Sequence, residues 1–350
     1  MKLPRNAQIW FPGYARGRMR NWFSSGWRDG TPHRVWVAIA DHFEPLWADG
    51  PLGKPDDATA RGRLSLWSER WPAIAREHID SAGGHPKYTF FFPQEEYRPY
   101  FIDPLAEMTR AGIADVEIHI HHDGEGQQNF IERMSGFKET LFCHHNLLRK
   151  DKRGCIVFGF IHGNWALDNS LPDGRWCGLN NEITLLRDLG CYADFTMPSG
   201  ASPTQARMVN VIYWAVDDPD KPRSYDTGRR VTPTNSGSGD LLMIPGPLGI
   251  RWGERLIPRM EKGELAAYDP PTLYRVRRWL DVAPRIGKDI FVKLFTHGAQ
   301  ERNSRMLLNG GLDQLFKLLA LECKHRGHEL RYATTWEMKQ AIDRAAGHRE

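Results

Sequence analysis

From residue 34 onward, short apolar runs alternate with stretches of helical length and helical period. The runs are RVWVAIA (34–40), KYTFFF (87–92), DVEIHIH (115–121), CIVFGFI (155–161), YADFT (192–196) and IFVKLF (290–295), with strand-like segments also at 209–216, 241–245 and near 329–333. Between them, 58–80 places Leu64, Trp67, Trp71, Ile74, Ala75 and Ile79 on one helical face, and 128–148 does so with Phe130, Ile131, Met134, Phe137, Leu141 and Phe142. Helices are also expected at 181–189, 271–283, 312–326 and 335–346, and a short one, opened by Asp103-Pro104, runs to about 111. Such alternation predicts an α/β fold with a mostly parallel sheet. KYTFFF and CIVFGFI are apolar on both sides, as central strands are. With about seven to nine strand candidates, a closed or nearly closed (β/α) barrel accommodates them. No break in composition divides the chain, so 34–350 reads as a single domain with a long polar insert near 217–240.

Residues 1–33 read as a basic and aromatic arm without a continuous apolar run, neither a secretory signal nor a membrane span. Arg16, Arg18 and Arg20 among aromatic residues could touch an anionic membrane surface; packing on the domain is the competing role. The net charge of +4 with histidine neutral is too mild to call for a nucleic-acid partner. The five cysteines are odd in number and form no CxxC pair, which reads as reduced thiols and a cytoplasmic protein. The 13 Trp and 16 Phe suit a core and also a carbohydrate site, where rings serve as stacking platforms.

Polar chemistry gathers where apolar runs stop. Asp41-His42-Phe43-Glu44 follows the first run, His119 to Glu125 ends the third, His162-Gly163-Asn164-Trp165 ends the fourth, and Thr296-His297 ends the sixth. In a parallel barrel these carboxyl ends share one rim. In DVEIHIHHDGEG the apolar Val116, Ile118 and Ile120 alternate with Glu117, His119 and His121, so His119 and His121 point to one face. Imidazoles with a carboxylate can hold a divalent cation, zinc above all, and leave a position open. Such a metal lowers the pKa of bound water and polarises a carbonyl, which points to hydrolysis of an amide or ester. No Gly-x-Ser-x-Gly elbow and no HExxH are present, which argues against a serine hydrolase and a zincin.

The order of these motifs resembles the polysaccharide deacetylase superfamily of carbohydrate esterases, over roughly residues 34–300. The resemblance implies a distorted (β/α) barrel of about seven strands and a metal-dependent deacetylase acting on an N-acetylated sugar or polysaccharide precursor. The family opens with an Asp pair, base then ligand; Asp41-His42 stands there. Its second motif carries two His four apart; here His121 is followed at that distance by Glu125, with His119 two residues before. Its third motif supplies an Arg where this chain has His162-Gly163-Asn164-Trp165. Its last ends a strand in His, as FVKLFTHG does at His297. The expected roles are Asp41 as general base, His297 as general acid, and His162 beside them. His42, His119, His121 and Glu125 are expected as metal ligands, with Glu44 in reserve. Asn164 and Trp165 are expected to meet a carbohydrate substrate.

Other readings stay open. His119-x-His121 also fits an amidohydrolase or phosphoesterase. Asp41 and Glu125 could serve a metal-free glycosidase. The departures from the family motifs would suit a non-catalytic carbohydrate-binding relative.

Overall fold

The computed structural model describes residues 3–23, 32–48, 55–253 and 257–347. In chain order the elements are α1 (Ala7–Phe23), β1 (Arg34–His42), α2 (Asp57–Arg76), β2 (Tyr88–Pro93), α3 (Pro99–Arg110), β3 (Ala114–Ile120), α4 (Gln127–His145), β4 (Arg149–Lys150), β5 (Ile156–His162) and α5 (Glu182–Asp188). There follow β6 (Cys191–Asp194), β7 (Tyr213–Ala215), β8 (Arg229–Arg230), β9 (Leu241–Met243), β10 (Gly249–Trp252), β11 (Pro258–Glu261), α6 (Leu273–Val282), β12 (Arg285–Ile286) and β13 (Asp289–Thr296). The chain ends with α7 (Glu301–Met306), α8 (Leu312–His325), β14 (Glu329–Tyr332) and α9 (Thr335–Ala345). Helix starts follow local chemistry. Asp56 accepts the Thr59 N–H at the head of α2, and Thr334 with Glu337 closes a capping box on α9.

The expected α/β fold with a mostly parallel sheet is present; the closed seven-strand barrel is not. The main sheet has 12 strands, and its ladder runs β12-β13-β1-β2-β3-β5-β6-β9-β7-β8 without closing. The stretch from β13 to β9 is parallel. Beyond β9 the chain turns back, so β7 and β8 add antiparallel and end the ladder as an edge. At the other end β12 is antiparallel to β13, and β13 is also bordered by loop backbone, with Leu265 N–H donating to Phe295 O at 2.8 Å. The polar stretch 217–240 is not a free insert: it carries β8, the outermost strand. The N-terminal arm is helical over 7–23, and its Trp10 packs with Val209 and Leu248; residues 24–31 lie outside the described set. Among the described residues, no helix is long and apolar enough to cross a membrane.

Alternation along the central strands sorts side chains onto two buried faces. On one face Val35, Val37, Ile39, Phe43, Phe90, Phe92, Val116, Ile118, Ile120, Phe158 and Phe160 meet α2, α3, α4, α6 and α8. Trp67, Trp71 and Trp279 are fully buried here, and each indole N–H has an acceptor: Gly298 O, Ile113 O and Glu261 Oε1 respectively. On the other face Ala38, Ala40, Phe91, Ile161, Phe195 and Phe291 pack with Met338, Ala341 and Ile342 of α9.

The second face also carries charge. Asp115, Glu117 and His119 of β3 are all buried there. Arg149 donates to Glu117 at 2.6 Å and to both oxygens of Asp115 at 2.7 Å. Tyr192 Oη and Gly159 N–H complete the Glu117 shell. Removing Arg149 would leave two carboxylates in a dry interior without their cation. Arg149→Ala is therefore expected to lower stability by about 3–5 kcal/mol, read as a shift in urea midpoint with an unchanged slope.

Candidate metal centres

Among the described residues, two groups of side chains converge closely enough to share a cation: Glu44 with His119 and His121, and His122 with His162, Cys177 and Glu182. They lie on opposite faces of the sheet. His119 belongs to the face of Ile161, and His162 follows Phe158 and Phe160 on the other. The single rim pocket expected from the sequence is thereby divided in two.

In the first group Glu44 Oε1 stands 3.1 Å from His121 Nε2 and 3.5 Å from His119 Nε2. His119 Nδ1 lies 2.8 Å from Ile161 O, which fixes that nitrogen as the donor and leaves Nε2 a bare lone pair. That Nε2 and the second Glu44 oxygen have no hydrogen-bond partner although buried. Glu95 pairs with His121 Nδ1, the carboxylate–imidazole arrangement that orients metal ligands. Burial works against charge on both partners, but the outcome is an ionic cluster. Against that burial, the hydrogen bond from His121 and the neighbouring imidazoles hold the Glu44 carboxyl well below the usual carboxylate range. The hydrogen bonds of Glu44 and Glu95 push His121 up to about 10. Three ligand atoms, orphaned lone pairs and a supporting carboxylate fit a divalent cation with a free coordination position. The His121 side chain is 28% exposed, so the group is reachable from solvent.

His42 and His297 stand beside this group rather than in it. Their rings stack at 4.7 Å, and His42 meets His119 edge-on at 5.2 Å. Burial, reinforced by the neighbouring imidazoles, holds His42 well below the usual histidine range, and burial lowers His297 as well. Both are therefore neutral at pH 7, and His42 Nε2 has no partner. Trp165 packs on both rings at 5.7 Å. With Trp47 and His297 it lines a cleft of about 470 Å³ that Tyr268 and Asn303 also border. Asn164 and Trp165 adopt φ of +54° and +55°. Left-handed backbone at two successive non-glycine residues is uncommon and costs energy, and it turns Trp165 toward the imidazoles.

The remaining expected residues are placed elsewhere. Asp41 shares the face of Ile39 and Phe43, opposite His42. Its carboxylate accepts from Gly298 N–H at 2.6 Å and Tyr88 Oη at 2.8 Å, and burial raises it to about 7. Those fixed donors make it a latch between β1 and the turn after β13. Glu125 is clamped by Arg133 at 2.9 and 3.0 Å and lies near His122, away from His121. His162 belongs to the second group. The sequence reading missed Glu95, Cys177 and Glu182. Glu95 had a signal, since it follows the apolar run of β2 as Glu44 follows that of β1. Cys177 and Glu182 sit in and after an irregular loop whose spacing has no pattern to read.

No protein-family model matches the chain, and neither does any curated protein.

Gly163, the residue after β5, lies against His121 of the first group. A Cβ there would lie 2.3 Å from the His121 ring and 2.7 Å from Ile120 O. Gly163→Ala should displace the imidazole and weaken metal binding about 10–100-fold while the circular dichroism stays native; a metal titration followed by mass spectrometry of bound ions checks this.

Proposed function

We propose that the protein is a metal-dependent hydrolase that removes the acyl group from an N-acetylated sugar or a precursor carrying one. The observation that carries this reading is the Glu44–His119–His121 convergence, with its orphaned lone pairs, next to a pair of neutral imidazoles. Glu44, His119 and His121 would hold the cation, with Glu95 orienting His121. A divalent cation there would supply Lewis acidity toward a carbonyl and an acidified water. His42 and His297 stand where a neutral imidazole can take a proton from the attacking water and return it to the departing amine. Trp165 and Trp47 offer ring faces to a sugar. Asp41, held by two fixed donors on the far side of the strand, is better suited to anchoring the turn that carries His297 than to moving a proton.

A second reading has an observation of its own. Two of the three ligand atoms come from His119-x-His121 on one strand, an arrangement also suited to amidohydrolases and phosphoesterases. Beyond Tyr268 and Glu264 the cleft continues into one lined by Arg259 and by the Arg251–Asp269 and Lys262–Glu264 pairs, a charged rather than apolar extension.

Acetate release from a panel of N-acetyl amino sugars separates these. The metal-replete protein is expected to release acetate, and a strong chelator to abolish release. Glu44→Gln and His121→Ala should fall to background, and His297→Ala should lose about 10²–10⁴-fold in turnover. Inert N-acetyl sugars together with turnover of a phosphoester would select the second reading. Glycoside cleavage that survives the chelator would overturn both.

A further inference from the structure

We propose that His122, His162, Cys177 and Glu182 form a second, closed metal site, of the structural zinc type, that pins the irregular loop 163–181 to the ends of β3 and β5. This site is separate from the Glu44 centre and does not depend on the activity proposed above. Its residues are 6%, 0%, 0% and 0% exposed respectively, on the face of the sheet away from His119.

As hydrogen bonds alone, the contacts leave a buried group unsatisfied in either neutral tautomer of His122 and close only with a fully buried imidazolium there. His162 Nδ1 lies 2.6 Å from Gly163 O and so carries the proton, leaving Nε2 as a lone pair. That lone pair faces His122 Nε2 at 2.9 Å and Glu182 Oε1 at 3.3 Å. Glu182 Oε1 is also 3.0 Å from His122 Nε2. If His122 is protonated on Nε2, its Nδ1 is a buried acceptor with no donor. If it is protonated on Nδ1, three acceptors converge with no proton among them. A cation at the centre of the group removes the conflict: both Nε2 lone pairs become ligands, and His122 Nδ1–H turns to Glu125 Oε2, 3.7 Å away and held by Arg133. An outer carboxylate of that kind is the usual partner of a ligating imidazole.

The sulfur fits the same picture. Cys177 Sγ stands 3.4 Å from Glu182 Oε2 and is approached by the N–H groups of Asn169 at 3.2 Å and Leu179 at 3.5 Å. A neutral thiol is a weak acceptor, whereas a metal-bound thiolate draws backbone donors. Two ligand atoms on a tetrahedral zinc are about 3.3–3.6 Å apart, given Zn–N near 2.0–2.1 Å and Zn–S near 2.3 Å. The two Nε2 atoms and Glu182 Oε1 are 2.9–3.3 Å apart, at or a few tenths of an ångström below that span, and a ligand atom of Cys177 lies within 4.8 Å of them all. One thiolate and one carboxylate offset the double charge, so the site is neutral overall in its dry surroundings. Four protein ligands leave no position for a substrate, as in structural rather than catalytic zinc sites.

What the site would hold is the stretch between β5 and α5. It has only a short 3₁₀ turn, and Asn164, Trp165, Asp168, Asn169 and Trp176 all have positive φ. Side-chain contacts such as Trp176 N–H to Asp123 and Asn169 to Asn180 hold it in place of regular secondary structure, and the metal site would add a tie at each end. Pinned at His162 and at Cys177 and Glu182, it would keep Trp165 against His42 and His297.

Production of the full chain in cobalt-supplemented medium tests this, since only this site has sulfur. The wild type is expected to show thiolate-to-cobalt charge transfer in the near ultraviolet and to carry a second equivalent of metal. His121→Ala should lose one equivalent and keep the band; Cys177→Ser should lose the band and one equivalent. A cobalt-loaded wild type without the band would overturn the proposal, as would a band that persists in Cys177→Ser. The wild-type spectrum needs no variant to fold. A band present in a protein inert toward every substrate would sink the deacetylase reading and leave this site standing.

Discussion

Burial of β3 on both faces is the constraint from which the polar interior follows. A strand between two layers cannot turn its charged residues to water, so Asp115, Glu117 and His119 must each find a partner inside. Arg149 and Tyr192 satisfy the first two. His119 is satisfied on one nitrogen by Ile161 O and on the other only by what Glu44 and His121 gather around. The ion network at one end of the strand and the candidate metal centre at the other are thus a single solution to the same desolvation problem. The pleat then sets the second group. One step along the chain from His121, His122 crosses to the opposite layer, and His162 does so relative to Ile161.

This back-to-back layout ties the candidate site to its support. Gly163 lies between the groups, touching the His121 ring on one side and following His162 on the other. Trp165, two residues on, closes over His42 and His297. The two faces are thus joined by the four consecutive residues 162–165.

Much of the fold was legible because it rests on periodicity. The expected strands and helices from 34 to 346 recur within a few residues of their predicted bounds, since alternation of apolar runs records burial directly. Closure of the barrel was not legible. Whether a ladder ends in an antiparallel edge such as β7–β8 depends on the path of loops, and short three-residue strands leave almost no pattern. At the site, placing His119 and His121 on one face needed only the strand period, and the geometry agrees. Motif order says which strand end Asp41 and Glu125 occupy but not which layer each side chain enters. Cys177 was read only as a reduced thiol, since no neighbour in sequence shares its surroundings.

The register of β1 has a consequence for how the chain is made. Its first four residues lie between Arg34↔Asp289 pairing with β13 on one side and Arg34↔Glu329 pairing with β14 on the other. Both partners come more than 250 residues later in the chain. The strand that bears His42, and that leads into Glu44, stays unpaired along most of its length until those segments have been made. Contacts of such long separation slow folding and expose apolar edges to association. The pairing of β1 with β14 is thus the longest-range link in the sheet.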